Sequence, residues 1–172
     1  MRLATFSLAA LLCGAAPASL ACGYDGMAMD LALAHPASLE VSLAIHRAYQ
    51  DKLMAPPLPL PGAFGMRRAL KAMDRLAAML PADGERFSLL LVEPGLWTRF
   101  EKRDGHWQPT PHTTGPAEGE DVVIVGEGAL LAMLGGKLST RQALEHGLLH
   151  VEGGTQQAGL WQSVDLSHGT RQ

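Results

Sequence analysis

The order of elements predicts an α+β fold with a mostly antiparallel sheet. Three observations predict it. Apolar residues recur at helical spacing over residues 66–80. Short alternating or β-branched runs at 87–93, 97–108, 121–125 and 148–152 read as strands. Helices and strands also come in clusters rather than in regular βαβ alternation.

Residues 22–30 carry glycine and methionine with no clear period. His35-Pro36 can precede a helix, with proline near its first turn. From 39 to 54, Leu39, Leu43, Ala44, Ile45, Ala48, Tyr49 and Leu53 suit an amphipathic helix. Pro56, Pro57, Pro59 and Pro61 then make a stiff, extended linker, because proline fixes φ and removes amide donors.

Met66, Ala69, Leu70, Met73, Leu76, Ala77 and Leu80 form the cleanest helical stripe. Arg67, Arg68, Lys71, Asp74 and Arg75 occupy its other side. Such a helix is either a core helix with a solvated back or a membrane-surface element. Phe87, Leu89 and Leu91 alternate with Leu90 and Val92, so both faces are apolar and this strand should be central. Asp104-Gly105 is a two-residue hairpin signal. Its register sets Lys102 opposite Trp107 and lets Phe100 and Trp107 share a face.

Residues 109–119, with Pro109, Pro111 and Pro116, read as a loop. Residues 121–125 then form a buried strand. Residues 129–134 are apolar on every side, which in a helix means burial all round. Ser139 and Gln142 fit a capping box opening a second short helix, and Gly147 stands where a helix C′ glycine belongs. A last strand follows at 148–152, and a short tail helix should pack back through Trp161, Val164 and Leu166.

The chain has 172 residues, enough for one domain with a sizeable core. Residues 1–21 have the layout of a secretory signal: Arg2, an apolar stretch from Leu3 to Gly14, then Ser19-Leu20-Ala21. Its removal takes the net charge from −3 to −4, which is no nucleic-acid footprint. The mature chain would keep Cys22 alone of two cysteines, so no intrachain disulfide is available. Ser19 departs from the usual bacterial lipobox, so a free thiol is preferred over a lipid anchor. The expected organisation is a signal at 1–21, a helical extension with its proline linker at 22–62, and the α+β domain at 63–172. The expected location is periplasmic or secreted.

Signals for chemistry fail one by one. Gly136-Lys137 lacks the phosphate loop's leading glycine, since Leu131 stands there, and Leu138 replaces the magnesium-binding hydroxyl. Gly126-x-Gly128 lacks the third glycine of a dinucleotide fingerprint. His146 and His150 are split by the helix end at Gly147, whereas a metal site needs three or four converging ligands. Glu118, Glu120 and Asp121 read as solvated loop carboxylates. The chain is expected to be no enzyme, with no cofactor and no metal.

The stretch 120–154 resembles the lipid-binding domain of the sterol carrier protein (type 2) family. The resemblance rests on Val122-Val123-Ile124-Val125, Leu130-Leu131-Ala132-Met133-Leu134, Gly136-Lys137-Leu138, Ala143, Gly147 and Val151-Glu152-Gly153. It extends more weakly over 66–167 and does not cover 1–61. It implies a five-strand sheet covered by helices, with an apolar tunnel between them. With helix periodicity, it points to Met73, Leu76, Leu80, Leu130, Leu131 and Leu134 as tunnel walls, and to Leu144 and Leu148 near the far end. The implied function is binding, and transfer, of a lipid, fatty acyl, sterol or quinone molecule, with contact to a membrane surface. The rival is a module that keeps the fold with a filled tunnel and docks a periplasmic protein through its N-terminal extension and proline arm.

Overall fold

The computed structural model describes residues 35–154 together with Trp161 and Leu166. The expected signal segment, Cys22 and Val164 lie outside the described residues.

Helix α1 (Ser38–Gln50) stops short of the expected 54. A Schellman turn ends it: the Leu53 N–H donates to the Ala48 carbonyl at 2.9 Å and the Lys52 N–H to that of Tyr49 at 3.3 Å. That turn needs a left-handed residue, and Lys52 supplies it at φ 56°. A side chain there costs about 1 kcal/mol relative to glycine. Lys52→Gly should therefore raise stability by about 0.5–1 kcal/mol in urea unfolding. A neutral or negative change would show the turn to be unstrained.

Helix α2 (Gly62–Met79) begins four residues before the predicted stripe, with extended Pro61 at its N-cap. Of the stripe read from sequence, Ala69, Met73, Leu76, Ala77 and Leu80 are buried and Met66 and Leu70 half-buried, and Gly65 and Ala72 join the buried side. Strand β1 (Phe87–Leu91) is buried on both faces, as its composition requires. The hairpin β2 (Leu96–Arg103) to β3 (His106–Pro111) turns at Asp104 and Gly105, both at positive φ, and pairs Lys102 with Trp107.

β3 runs on to Pro111, into residues expected to be loop. It can do so because it is an edge strand, where a missing N–H need not break a ladder. The chain then returns along the sheet, so β4 (Asp121–Val125) lies parallel to β1. The strand order is β3-β2-β1-β4-β5, with β5 spanning Leu149–Glu152. The other three pairings are antiparallel, so the sheet is mixed at its centre and otherwise antiparallel, with the expected five strands.

α3 (Glu127–Leu134) and α4 (Thr140–Glu145) link β4 to β5. Both end in Schellman turns, with Gly136 and Gly147 at φ 68°. The Ser139–Gln142 capping box forms in full. On one sheet face Phe87 stacks on Phe100 and meets Trp107 and Trp161 edge-on. Trp161 and Leu166 are both buried, so the tail packs back through these two residues. On the opposite face His35 meets Trp97 edge-on and approaches Glu152 at 3.4 Å, ahead of α1.

A candidate binding cleft beneath the proline arm

Once α1 ends, residues 51–54 reverse the chain and 55–61 lead it past α3 to the start of α2. Gly128 permits this close approach. A Cβ there would fall 2.2 Å from the Tyr49 hydroxyl oxygen and 3.2 Å from Pro57 Cδ. At Gly126 a Cβ would fall 2.3 Å from Ile45 Cδ1. The two glycines admit α1 and the arm.

Between arm and helix lies a half-open cleft of about 660 Å³. Leu53, Met54, Ala55, Pro56 and Pro57 form one apolar wall, and Leu131 and Ala132 form the other. Tyr49, Lys52 and Lys137 supply its polar points. α3 is therefore apolar all round for two separate reasons. Leu130, Met133 and Leu134 face the core, while the partly buried Leu131 and Ala132 line the cleft.

A buried polar frame fixes α3. Arg68 grips Glu127 with two parallel bonds, Nε to Oε1 at 2.7 Å and Nη2 to Oε2 at 2.9 Å. Its Nη1 donates to the Leu58 carbonyl at 2.5 Å, tying down the arm. Glu93, from the β1–β2 turn, accepts the Glu127 N–H at 2.7 Å and so caps the helix in place of a local side chain. Arg75 Nη2 donates to the Leu134 carbonyl at the other end, at 2.8 Å.

This frame shifts two titrations. Tyr49 is pushed up to about 12 by burial first, then by the negative charges of Glu93 and Glu127. Its hydroxyl is therefore neutral at ordinary pH, and it takes no hydrogen-bond partner among the described residues. Glu93 is exposed as a residue, but its carboxylate is drawn in against the first turn of α3. Burial raises its pKa most, Glu127's charge adds to that, and backbone N–H bonds partly offset both.

A raised carboxyl pKa means that the folded state binds the proton more tightly. The associated stability is full below the ordinary 4.5 and is lost as pH rises through the folded value. Glu93→Gln, which keeps an acceptor oxygen for the cap, should remove that fall. Relative to wild type, the variant should gain stability between pH 4 and pH 8. Parallel urea-midpoint profiles for the two proteins would contradict this.

Of the eight residues expected to line a tunnel, Leu131 lines this cleft. Met73, Leu76, Leu130, Leu134 and Leu148 are fully buried in the core cluster. Leu80 is buried at the end of α2, and Leu144 is partly buried against the same cluster. Sequence reading missed the Arg68–Glu127–Glu93 frame. The available signal was Glu127, a lone acid between Gly126 and an apolar helix. It also read Glu120 as solvated. The Glu120 side chain is in fact buried, beside Arg99 and accepting from the Ser88 hydroxyl and the Ala117 N–H. Asp121 accepts the Gly154 N–H.

No group of three or more His, Cys, Asp or Glu among the described residues could hold a metal. His35 accepts the Ala37 N–H at Nδ1, so in the neutral ring the proton sits on Nε2, toward Glu152. No described helix is long and apolar enough to cross a membrane.

A mixed five-strand α+β sheet with an apolar surface cleft thus defines the class of protein. Among solved structures, the chain is similar to sterol carrier protein 2, at 19% identity and a TM-score of 0.38, over 59% of this chain and 86% of that chain. It is similar to TT1886 from Thermus thermophilus, a sterol carrier protein candidate, at 19% identity and a TM-score of 0.34, over 56% of this chain and 72% of that chain. The inverting sec-alkylsulfatase Pisa1 from Pseudomonas sp. is similar at 15% identity and a TM-score of 0.42, over 52% of this chain; the match spans 15% of that enzyme's length. No protein-family model and no curated protein matches the chain. The resemblance read from residues 120–154 thus meets the same family among solved structures.

Proposed function

We propose that this chain is an exported, non-enzymatic binding protein for a lipid or another hydrophobic small molecule, and that it hands that molecule on. The observation that supports this reading is the cleft of about 660 Å³ with two apolar walls. It falls within the range of about 300–1,000 Å³ typical of small-molecule sites, with a few polar points among apolar ones. The ligand's apolar part would lie between Leu131 and the arm residues Met54, Pro56 and Pro57. Its polar end would meet Lys52 or Lys137. The signal-like residues 1–21 support export. The buried set Met73, Leu76, Leu130, Leu134 and Leu148, in which Leu130 and Leu134 are the core-facing side of α3 itself, would then form the floor under the cleft, with Leu80 and Leu144 at its margins.

The test is fluorescence titration of the delipidated chain with cis-parinaric acid, followed by displacement with fatty acids, sterols and quinones. Binding is expected, and Leu131→Trp, which fills the cleft from a partly exposed position, should weaken it by about tenfold or more, a loss of about 1.4 kcal/mol. A chain that extracts with no lipid and shows no thermal shift with any of these ligands would sink the carrier reading. The rival, a module with a filled interior, is favoured by the close burial of those same core leucines.

A further inference from the structure

The arm at 55–61 has a second side that the cleft does not use. Pro56 and Pro57 contribute to the cleft wall, but Leu58 is 77% exposed, Leu60 is 38% exposed, and Pro56, Pro59 and Pro61 are all exposed. Ala55, Pro56, Leu58 and Leu60 each precede a proline, which drives them into extended backbone, and the prolines fix their own φ. Pro61 shows the result at φ −73°, ψ 144°, the polyproline II region.

Exposure along the arm follows that geometry. A polyproline II helix repeats every three residues, so residues three apart share an edge. Pro57 and Leu60 share one edge. Pro57 is the half-buried proline, facing Gly128, and Leu60 is half as exposed as Leu58. Leu58, Pro59 and Pro61 point outward, away from the cleft, while Pro56 is exposed where the strip meets the cleft wall. Arg68 clamps the Leu58 carbonyl, so this strip is pre-ordered on the folded domain.

We propose that the arm is a docking ligand for a partner protein with a proline-binding groove, lined by aromatic rings that carry N–H or O–H donors and flanked by carboxylates. The arm's own chemistry selects this partner. Four prolines leave it rich in carbonyl acceptors and poor in donors, with ridges of proline and leucine between them. Tryptophan and tyrosine rings meet both needs, offering flat apolar faces and a donor at the edge. A bilayer interior would bury the ridges but leave the carbonyls unpaired. The flanking charge is complementary to acids: Arg67 and Lys71 are exposed just beyond the arm, and the Arg67 guanidinium lies 5.1 Å from the ring centre of Phe64, itself 60% exposed. This inference stands apart from the carrier reading, because it uses the arm's outer edges and not the cleft.

The probe is a purified WW domain that accepts Pro-Pro-Leu-Pro peptides, titrated calorimetrically into the full folded chain. One-to-one binding is expected. Pro59→Ala and Leu58→Ala should each weaken it by about tenfold, while thermal unfolding stays unchanged because both side chains are exposed. Leu131→Trp, which blocks the cleft, should leave it intact, so failure here and failure of the carrier reading are distinguishable. Binding by a free 55–61 peptide but not by the folded chain would overturn the proposal, since the arm would then be sealed. Binding that Pro59→Ala does not weaken would overturn it as well. So would absence of WW binding together with partition onto vesicles of neutral and anionic phospholipid that Leu58→Ser abolishes, which would make the strip a membrane ridge. No binding to either probe also overturns it.

Discussion

Replacing Arg68 with methionine should lower stability by about 3–5 kcal/mol, the usual cost of removing one partner from a buried ion pair. The Arg68 side chain is 20% exposed and that of Glu127 is 4% exposed, so the stranded carboxylate has little water to turn to. It would also face the carboxylate of Glu93, which reaches from the β1–β2 turn to accept the Glu127 N–H. The positive end of that helix offsets part of the repulsion, by about 0.3–1 kcal/mol, which places the expected loss toward the lower end. The double variant Arg68→Met, Glu127→Gln should recover most of the deficit, because the stranded Glu127 charge is gone and Glu93 keeps its bond to the residue 127 N–H. Urea unfolding of wild type, single and double variants gives the three values. A single-variant loss below about 1 kcal/mol, or a double variant no better than the single, would contradict the buried-pair account. The same substitution frees the Leu58 carbonyl from its donor, so limited proteolysis at 55–61 should quicken in both variants.

Phe87→Ala should cost about 3–5 kcal/mol, the range for truncating a buried aromatic residue. Phe87 is fully buried on the central strand. Its ring stacks on Phe100 with centres 4.8 Å apart, and it meets Trp107 and Trp161 edge-on at 5.7 Å each. Each such pair adds about 0.5–1.5 kcal/mol beyond area burial. Removing the ring opens a cavity under three other rings at once, and β1 pairs on both sides, so the sheet cannot easily close around it. Trp161 would lose its seat, and tryptophan emission should shift to the red before global unfolding. Phe87→Leu should cost clearly less, since most of the volume remains. A Phe87→Ala loss under about 1.5 kcal/mol would mean that the aromatic cluster collapses to fill the gap.

The features legible in the sequence are those decided within a few residues. Asp104-Gly105 turns the hairpin because those two residues tolerate positive φ, and that turn alone sets Lys102 against Trp107. The Ser139–Gln142 box and the Gly147 cap close on their own neighbours. The stripe on α2 follows from its apolar spacing, and β1 was recognisable as central because both of its faces are apolar. The α+β class and the helical order followed from these local readings.

Other features depend on chain paths that no local rule fixes. β3 continues through Pro109 and Pro111 only because it ended up at the sheet's edge. β4 pairs parallel with β1 because the chain returns along the whole sheet before entering it. Arg68 and Glu127 are 59 residues apart, and Glu93 and Glu127 are 34 apart, so no spacing pattern announces their convergence. Lys52 adopts the left-handed conformation that its sequence would not suggest, because the chain must reverse there to carry the arm past α3. The same reversal makes the cleft and gives α3 two apolar faces for two reasons, one of core and one of cleft. By itself the sequence determined the order of the elements, the caps made by immediate neighbours and the apolar character of α3. Tertiary structure decided which apolar residues are filled in and which are left open, since burial is a property of what lies opposite a side chain and not of the side chain alone.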